Sequence, residues 1–284
     1  MNFASFKQNV QDWFTQQWVI LSGKKINSKD FQWLLAPFGN TNEIGQKFIH
    51  QLQQDENLET CKSTQSKGLI SSIDELNLSS TQRHQLSKNV IDFYENTSDY
   101  ELHLTTKWNP FFKAFGYLLK LFFSNRIEQL NIPLDSEGTK EITSEIIQLR
   151  DMNTQQLKRT IWLRAFKATK QIVYSGIYET CTLPSGITCI KAVFPLPNGN
   201  ATVILEPSIG NNGALILTSA GKKIGDSGFY FLLKDKKGNL WTKYIKSFKD
   251  TLMVYSENGK IKAHQTLTFY GFKVVNFEYE MKSK

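Results

Sequence analysis

The spacing of apolar residues changes character near residue 99. Before it the period is helical. Phe3, Phe6, Val10, Trp13, Phe14, Trp18 and Leu21 recur as on one face of an amphipathic helix, which Gly23 is placed to end. Ser28 can cap a second helix carrying Phe31, Leu34, Leu35 and Phe38. Thr41 can cap a third carrying Ile44, Phe48, Ile49 and Leu52. The stretch Glu59–Ser72 is polar and lacks a period, so it reads as a linker. Ser72 and Glu75 stand at capping-box spacing. Leu86, Val90, Phe93 and Tyr94 then predict a helix over roughly residues 80–95.

After residue 99 the period is two. Tyr100, Leu102 and Leu104 alternate with Glu101, His103 and Thr105, as in a half-buried strand. One helix interrupts: Asn109-Pro110 is a strong start signal, and the chain to Leu130 is apolar around most of a helical circumference. From Glu141 onward strands are predicted over 142–149, 158–166, 171–181, 187–194, 201–206, 214–218, 229–233, 252–255, 261–269 and 273–281. Turn signals such as Asn198-Gly199 and Asn258-Gly259 separate them. A second helical interruption is read at Leu240–Lys249. Trp241, Tyr244, Ile245 and Phe248 form one face there, and Lys243, Lys246 and Lys249 the other.

These elements predict an α+β fold. A helical N-terminal region (1–58) and a linker (59–72) precede an α+β domain (73–284). In that domain an antiparallel sheet or partial β-barrel packs on the apolar Asn109–Leu130 helix. One turn is predicted in detail. Leu183-Pro184-Ser185-Gly186 reads as a three-residue hairpin loop with Gly186 in the left-handed region, which sets Cys181 opposite Cys189.

Composition narrows the function classes. The chain has 284 residues, 13% aromatic and 21% charged, which excludes disordered, collagenous and disulfide-scaffold proteins. The net charge of +8 sits downstream of residue 95 and comes mostly from lysine, the arginines being Arg83, Arg126, Arg150, Arg159 and Arg164. Lysine lacks the bidentate fork that reads phosphate or guanine, so a nucleic-acid partner is not expected. An anionic membrane surface remains an alternative partner, met through Trp241, Lys243, Lys246 and Lys249. Biased base composition of the source genome is the bland explanation of the lysines. The N-terminus has no basic, apolar leader, and no run of eighteen apolar residues occurs, so a cytoplasmic location is expected.

No phosphate-binding loop, dinucleotide fingerprint, nucleophile elbow, HExxH or CxxC is present, and no cofactor or metal site is predicted. The glycine-rich stretch Ala220–Gly228 reads as a long loop, with anion binding by its amides as the alternative. The most informative residue is Arg164. Trp162, Arg164 and Phe166 share one face of a strand, and Ile161, Leu163 and Ala165 share the other. Both faces are apolar, as for a strand covered on both sides, and a buried guanidinium must be paired. Glu145 or Glu179 on the neighbouring strands can pair it. Alternatively it holds a ligand carboxylate or phosphate.

The run Ile161-Trp162-Leu163-Arg164-Ala165-Phe166, then Val173-Tyr174-Ser175-Gly176, and the final strand pair Ile261–Met281 resemble a family of uncharacterised bacterial β-rich domains. The likeness covers about residues 93–282 and not 1–90. It implies a strand-rich fold and no particular activity. In related sequences such a domain is sometimes joined to a dehydrogenase-like one, whose fingerprint this chain lacks.

The function expected is binding of a hydrophobic or amphiphilic small molecule between the sheet and the Asn109–Leu130 helix. Trp108, Phe112, Trp162, Arg164 and Tyr174 are the expected lining. Two alternatives stand beside it. One is an enzyme using Glu145, Glu179 or Glu206 with His103 or Arg164. The other is a membrane-surface or protein-interaction module built on the basic helix.

Overall fold

Along the last strand Val275, Phe277, Tyr279 and Met281 are buried, and Glu278 between them is exposed. The same alternation puts Leu102, Leu104, Thr106 and Trp108 on the inner side of an earlier strand. Strands of this kind bury one face each, and antiparallel hairpin neighbours can curl that face inward until the sheet meets itself. The computed structural model describes residues 3–4, 10–39, 45–61, 67–112 and 139–284, and shows this closure.

The strands are β1 (Lys24–Ile26), β2 (Leu58–Thr60), β3 (Tyr100–Trp108), β4 (Lys140–Asp151), β5 (Leu157–Phe166), β6 (Ile172–Thr182), β7 (Thr188–Leu196) and β8 (Gly199–Ile209). Then come β9 (Leu215–Thr218), β10 (Gly228–Lys234), β11 (Leu240–Tyr244), β12 (Phe248–Glu257), β13 (Lys260–Phe269) and β14 (Phe272–Ser283). Ten of them, in the order β8-β7-β6-β5-β4-β3-β14-β13-β12-β9, form a circuit that β9 closes by pairing with both β12 and β8. Beyond β8 the sheet continues outward through β10, β11 and β1, and β2 adds to β4.

This overturns the α+β expectation. The chain is mostly β, a closed ten-stranded antiparallel barrel with extra strands, and not a helical N-terminal region joined to a sheet. The N-terminal segment supplies β1 and β2 to the sheet as well as helices α1 (Val10–Ser22) and α2 (Gly45–Asp55). The helix expected after Ser28 is absent. Residues 28–34 form turns, started by Asn27 Oδ1 accepting from the Lys29 N–H at 3.0 Å. Its apolar side chains instead cover Tyr230, with Trp33 packed edge-on at 5.5 Å. Leu240–Lys249 is not a helix either. Leu240–Tyr244 is strand β11, held between β10 and β1, and β12 starts at Phe248. Thr242, midway, is fully buried and donates to the Phe231 carbonyl at 2.9 Å. Pairing with β10 overrides a four-residue helical period in so short a window. Of the Asn109–Leu130 helix, Pro110–Phe112 forms a short 3-10 turn and the remainder lies outside the described residues.

Other local expectations hold. Ser72 and Glu75 form a capping box, and Ser79 with Gln82 forms a second one at the start of α3 (Ser80–Gln85). The helix read over 80–95 is broken, with α4 (Lys88–Glu95) following after Leu86 and Ser87. The Cys181 hairpin has the expected register, Cys181 opposite Cys189, with Gly186 at φ +86°. Burial raises both thiols, Cys181 to about 11, which keeps them protonated near neutral pH.

Two coverings complete the barrel. α3 and α4 lie across one end, where the Ser87 N–H donates to Gly213 O at 3.0 Å and Asn89 Nδ2 to Ser256 Oγ at 2.9 Å. Leu86, Val90 and Phe93 point into the same core as the barrel interior. On the outer wall α2 lays Phe48, Ile49 and Leu52 over Leu149, Ile161, Ile177 and Val193. β5 is therefore apolar on both faces because both are covered.

Candidate functional site

A ten-stranded barrel is wider than the eight-stranded kind that side chains can fill. Here the interior keeps a cavity of about 370 Å³. That lies within the range of ligand pockets, roughly 300–1,000 Å³. Its wall is largely apolar, with Ile190, Val203, Leu217, Val254 and Ala263 from the strands, Phe93 from α4, and Leu69 and Ile70 from the irregular segment that precedes the capping helices.

The wall is interrupted on one side. β8 pairs with β10 over Gly199–Ile204 and with β9 only over Glu206–Ile209. Above the short β9, β10 and β12 share no ladder among the described residues, and aromatic side chains bridge the seam instead. Phe229 lies 5.2 Å from Phe248 and 5.1 Å from Phe231, centroid to centroid. The cavity lining runs through these rings to Trp18 on α1, which is half exposed beside exposed Phe14 and Leu21. Beside these rings the Phe229 carbonyl accepts from the Ile245 N–H at 2.9 Å, and the Phe248 N–H donates to the Ile245 carbonyl at 3.3 Å, so the segment leading into β12 is tied to β10.

Polar groups enter the cavity at few points, and they cluster. Arg164 is 7% exposed. Its guanidinium is sandwiched between the rings of Trp162 and Tyr174, at 4.1 and 4.6 Å from their centroids. Nη2 donates to Tyr178 Oη at 3.1 Å, and Nε has no partner. Ser144 Oγ fixes the Trp162 ring by accepting from Nε1 at 2.9 Å. Facing the same space are Tyr279 on β14, Gln265 on β13 and Asp250 on β12. Gln265 Nε2 donates to Asp250 Oδ2 at 2.8 Å, and Asp250 Oδ1 is unpartnered. Burial raises the Asp250 carboxyl to about 7, opposed only by the Gln265 bond. Burial also raises the Tyr174, Tyr178 and Tyr279 phenols, so all three remain hydroxyl donors near neutral pH.

The carboxylates expected to pair with Arg164 do not. Glu179 points to the outer wall, where Arg159 Nη1 reaches it at 3.0 Å and Lys191 Nζ at 2.8 Å. Glu145 is exposed on the outside of β4. No carboxylate stands at ion-pair distance from Arg164 among the described residues.

Of the residues singled out in the sequence, Trp108, Trp162, Arg164 and Tyr174 line this one cavity. Phe112 does not. It packs at the end of β3, 6.5 Å from the Phe272 ring. The basic set is dispersed. Trp241 Nε1 donates to Asp235 Oδ2 at 3.0 Å, and Lys243 Nζ donates to Ser22 O at 2.8 Å. Lys246 lies in the turn before β12 and Lys249 is exposed on that strand. These side chains therefore form no single helical face. The Ala220–Gly228 loop spends its amides internally: Asp226 Oδ2 accepts from the Lys222 and Lys223 N–H groups. Tyr178, Asp250, Gln265 and Tyr279 were not singled out. Their signal is a polar residue at an inward position of an alternating strand, as in Phe248-Asp250-Leu252-Val254.

No family model matches the chain, and no solved structure matches it. It is 21% identical over 266 residues to a Bacillus subtilis (strain 168) protein named "Uncharacterized membrane protein YndJ". The aligned region is 93% of this chain and 46% of that protein, so the chain spans under half of its relative's length. Among the described residues no helix is long and apolar enough to cross a membrane, and no group of three or more His, Cys, Asp or Glu stands together.

Proposed function

We propose that the protein binds a hydrophobic or amphiphilic small molecule inside the barrel, with its chain in the apolar cavity and its polar end at the Arg164 cluster. This replaces the sheet–helix cleft expected from the sequence. The observation that carries the reading is the about 370 Å³ apolar cavity, into which Arg164 projects with no carboxylate partner among the described residues. An interior built for stability alone would be packed to crystal-like density. Here space is left beside a charge that apolar packing cannot satisfy.

Titration with dodecanol and dodecanoate below their micellar concentrations tests it, read by calorimetry and by tryptophan emission, since Trp108 and Trp162 line the cavity. Saturable binding of one molecule per chain is the expected result. Phenylalanine in place of Ala263, whose methyl faces the cavity, fills the space the chain would take and reduces affinity at least about tenfold, roughly 1.4 kcal/mol. Absence of saturable binding by either amphiphile, or binding unchanged in Ala263→Phe, overturns the reading.

A further inference from the structure

Taking the cavity as an amphiphile site, we infer that its ligand is an acid: a single-chain molecule whose head is a monoanion of the carboxylate type, received by Arg164 with the Tyr178 and Tyr279 hydroxyls. The inference rests on the reading above and goes on to name the head group.

The charge balance carries it. Two groups decide the charge of the cluster, and they differ in kind. A guanidinium is a fixed positive charge in proteins. The positive charge of Arg164 is held in the interior by two aromatic faces and the phenol oxygens of Tyr178 and Tyr279, which soften its isolation without neutralising it. Asp250 can give up its charge by taking a proton, and its surroundings favour that state. The protein groups of the cluster therefore carry close to one uncompensated positive charge, and a monoanionic head brings it to neutrality. A cationic head would add a second buried positive charge. An uncharged head would leave the first one in place.

The donors fit the same answer. Arg164 Nε has no partner, so the fork keeps one donor that the protein does not satisfy. A carboxylate accepts from such a fork through two oxygens. The hydroxyls of Tyr178 and Tyr279 can donate to it, both held protonated by burial.

Asp250 sets the pH dependence. The groups facing it are Gln265 from β13, Arg164 from β5, Tyr174 and Tyr178 from β6 and Tyr279 from β14, while Ser219 Oγ accepts from its backbone N–H at 2.8 Å. Arg164 is the one cation among them. Once Asp250 ionises, it competes for that cation and repels an incoming anion. Affinity for an acid thus falls as pH rises through about 7, whereas affinity for an alcohol of the same length does not follow it.

The experiment compares dodecanoate with dodecanol in the full-length protein at about pH 6 and about pH 8, for the natural protein, Arg164→Met, Tyr178→Phe and Asp250→Asn. In the natural protein dodecanoate should bind at least about tenfold more tightly than dodecanol at the lower pH, the scale of a charged hydrogen bond. Arg164→Met should lose that preference and keep dodecanol binding, which also certifies that the variant is folded. Tyr178→Phe should lose part of it. Asp250→Asn should bind the acid with the same affinity at both pH values. Equal affinity for acid and alcohol in the natural protein overturns the inference and leaves the cavity reading standing. So does a preference that survives in Arg164→Met, or a pH dependence that survives in Asp250→Asn. Failure of both amphiphiles to bind overturns the cavity reading, and this inference with it.

Discussion

Asparagine in place of Asp250 is expected to stabilise the protein at and above about pH 7, by up to ~4 kcal/mol. The carboxyl has an ordinary value of 3.8 when the chain is unfolded and about 7 when buried in the barrel. A raised folded-state value means the folded protein holds this proton more tightly than the unfolded chain does. Below about pH 4 the group is neutral in both states and costs nothing. As pH rises the unfolded chain ionises first and is favoured. Above about 7 the folded protein must carry the buried charge, and the full cost of the raised value applies, about 4 kcal/mol. Asn has the same shape, can still accept from Gln265 and does not titrate. Denaturant unfolding of both proteins across about pH 4 to 8 checks this. The two stability curves should diverge with increasing pH, the variant above. Parallel curves would show that Asp250 is not buried as an acid. A carboxyl that weakens the fold at neutral pH is hard to explain as scaffolding and is consistent with a place in a binding site.

The second large effect lies on the outer face of the barrel, on β6 and β7. Lys191 is 4% exposed. Its ammonium is shared between Glu179 Oε1 at 2.8 Å and the carbonyls of Leu35 and Trp33 at 3.0 and 3.3 Å. Glu179 also accepts from Arg159, which Glu56 in the turn after α2 holds at 3.0 Å. This network pins the 31–38 segment and α2 to the barrel wall. Glu179→Ala leaves Arg159 with Glu56 but strands the Lys191 charge, and should cost ~3–5 kcal/mol. Chemical denaturation of both proteins measures it. A loss below about 1 kcal/mol would mean that Lys191 reaches solvent in the folded protein. The cavity lies inside, so dodecanoate binding should survive where the variant is folded.

Much of the wall was legible from alternation alone. The Cys181–Cys189 register followed from one turn, because a three-residue loop with Gly186 allows little else. Arg164 was legible for a related reason, as a charge on a strand apolar on both faces. Closure was not. It depends on the four-residue strand β9 bridging β12 and β8, a long-range pairing that leaves no local mark. The α+β expectation failed for the same reason, since β1 and β2 are only three residues each and become strands by the partners they meet. The polar half of the cluster was hidden by the helical reading of Leu240–Lys249. Once Phe248 belongs to a strand, Asp250 falls on the same inward face as Leu252 and Val254, and its oddity becomes visible. Gln265 between Ala263 and Leu267 carries the same mark.

The central claim is that an amphiphile lies inside the barrel with its head at Arg164. A crystal structure of the protein with dodecanoate brominated at the far end of its chain tests this most directly, because the anomalous signal of bromine locates one atom without assumptions about the rest. The account predicts a single strong bromine peak within the barrel, toward Leu69, Ile70 and Phe93, and carboxylate density at Arg164. Bromine peaks confined to the outer surface, or a barrel interior that stays empty in crystals grown at saturating ligand, would contradict it.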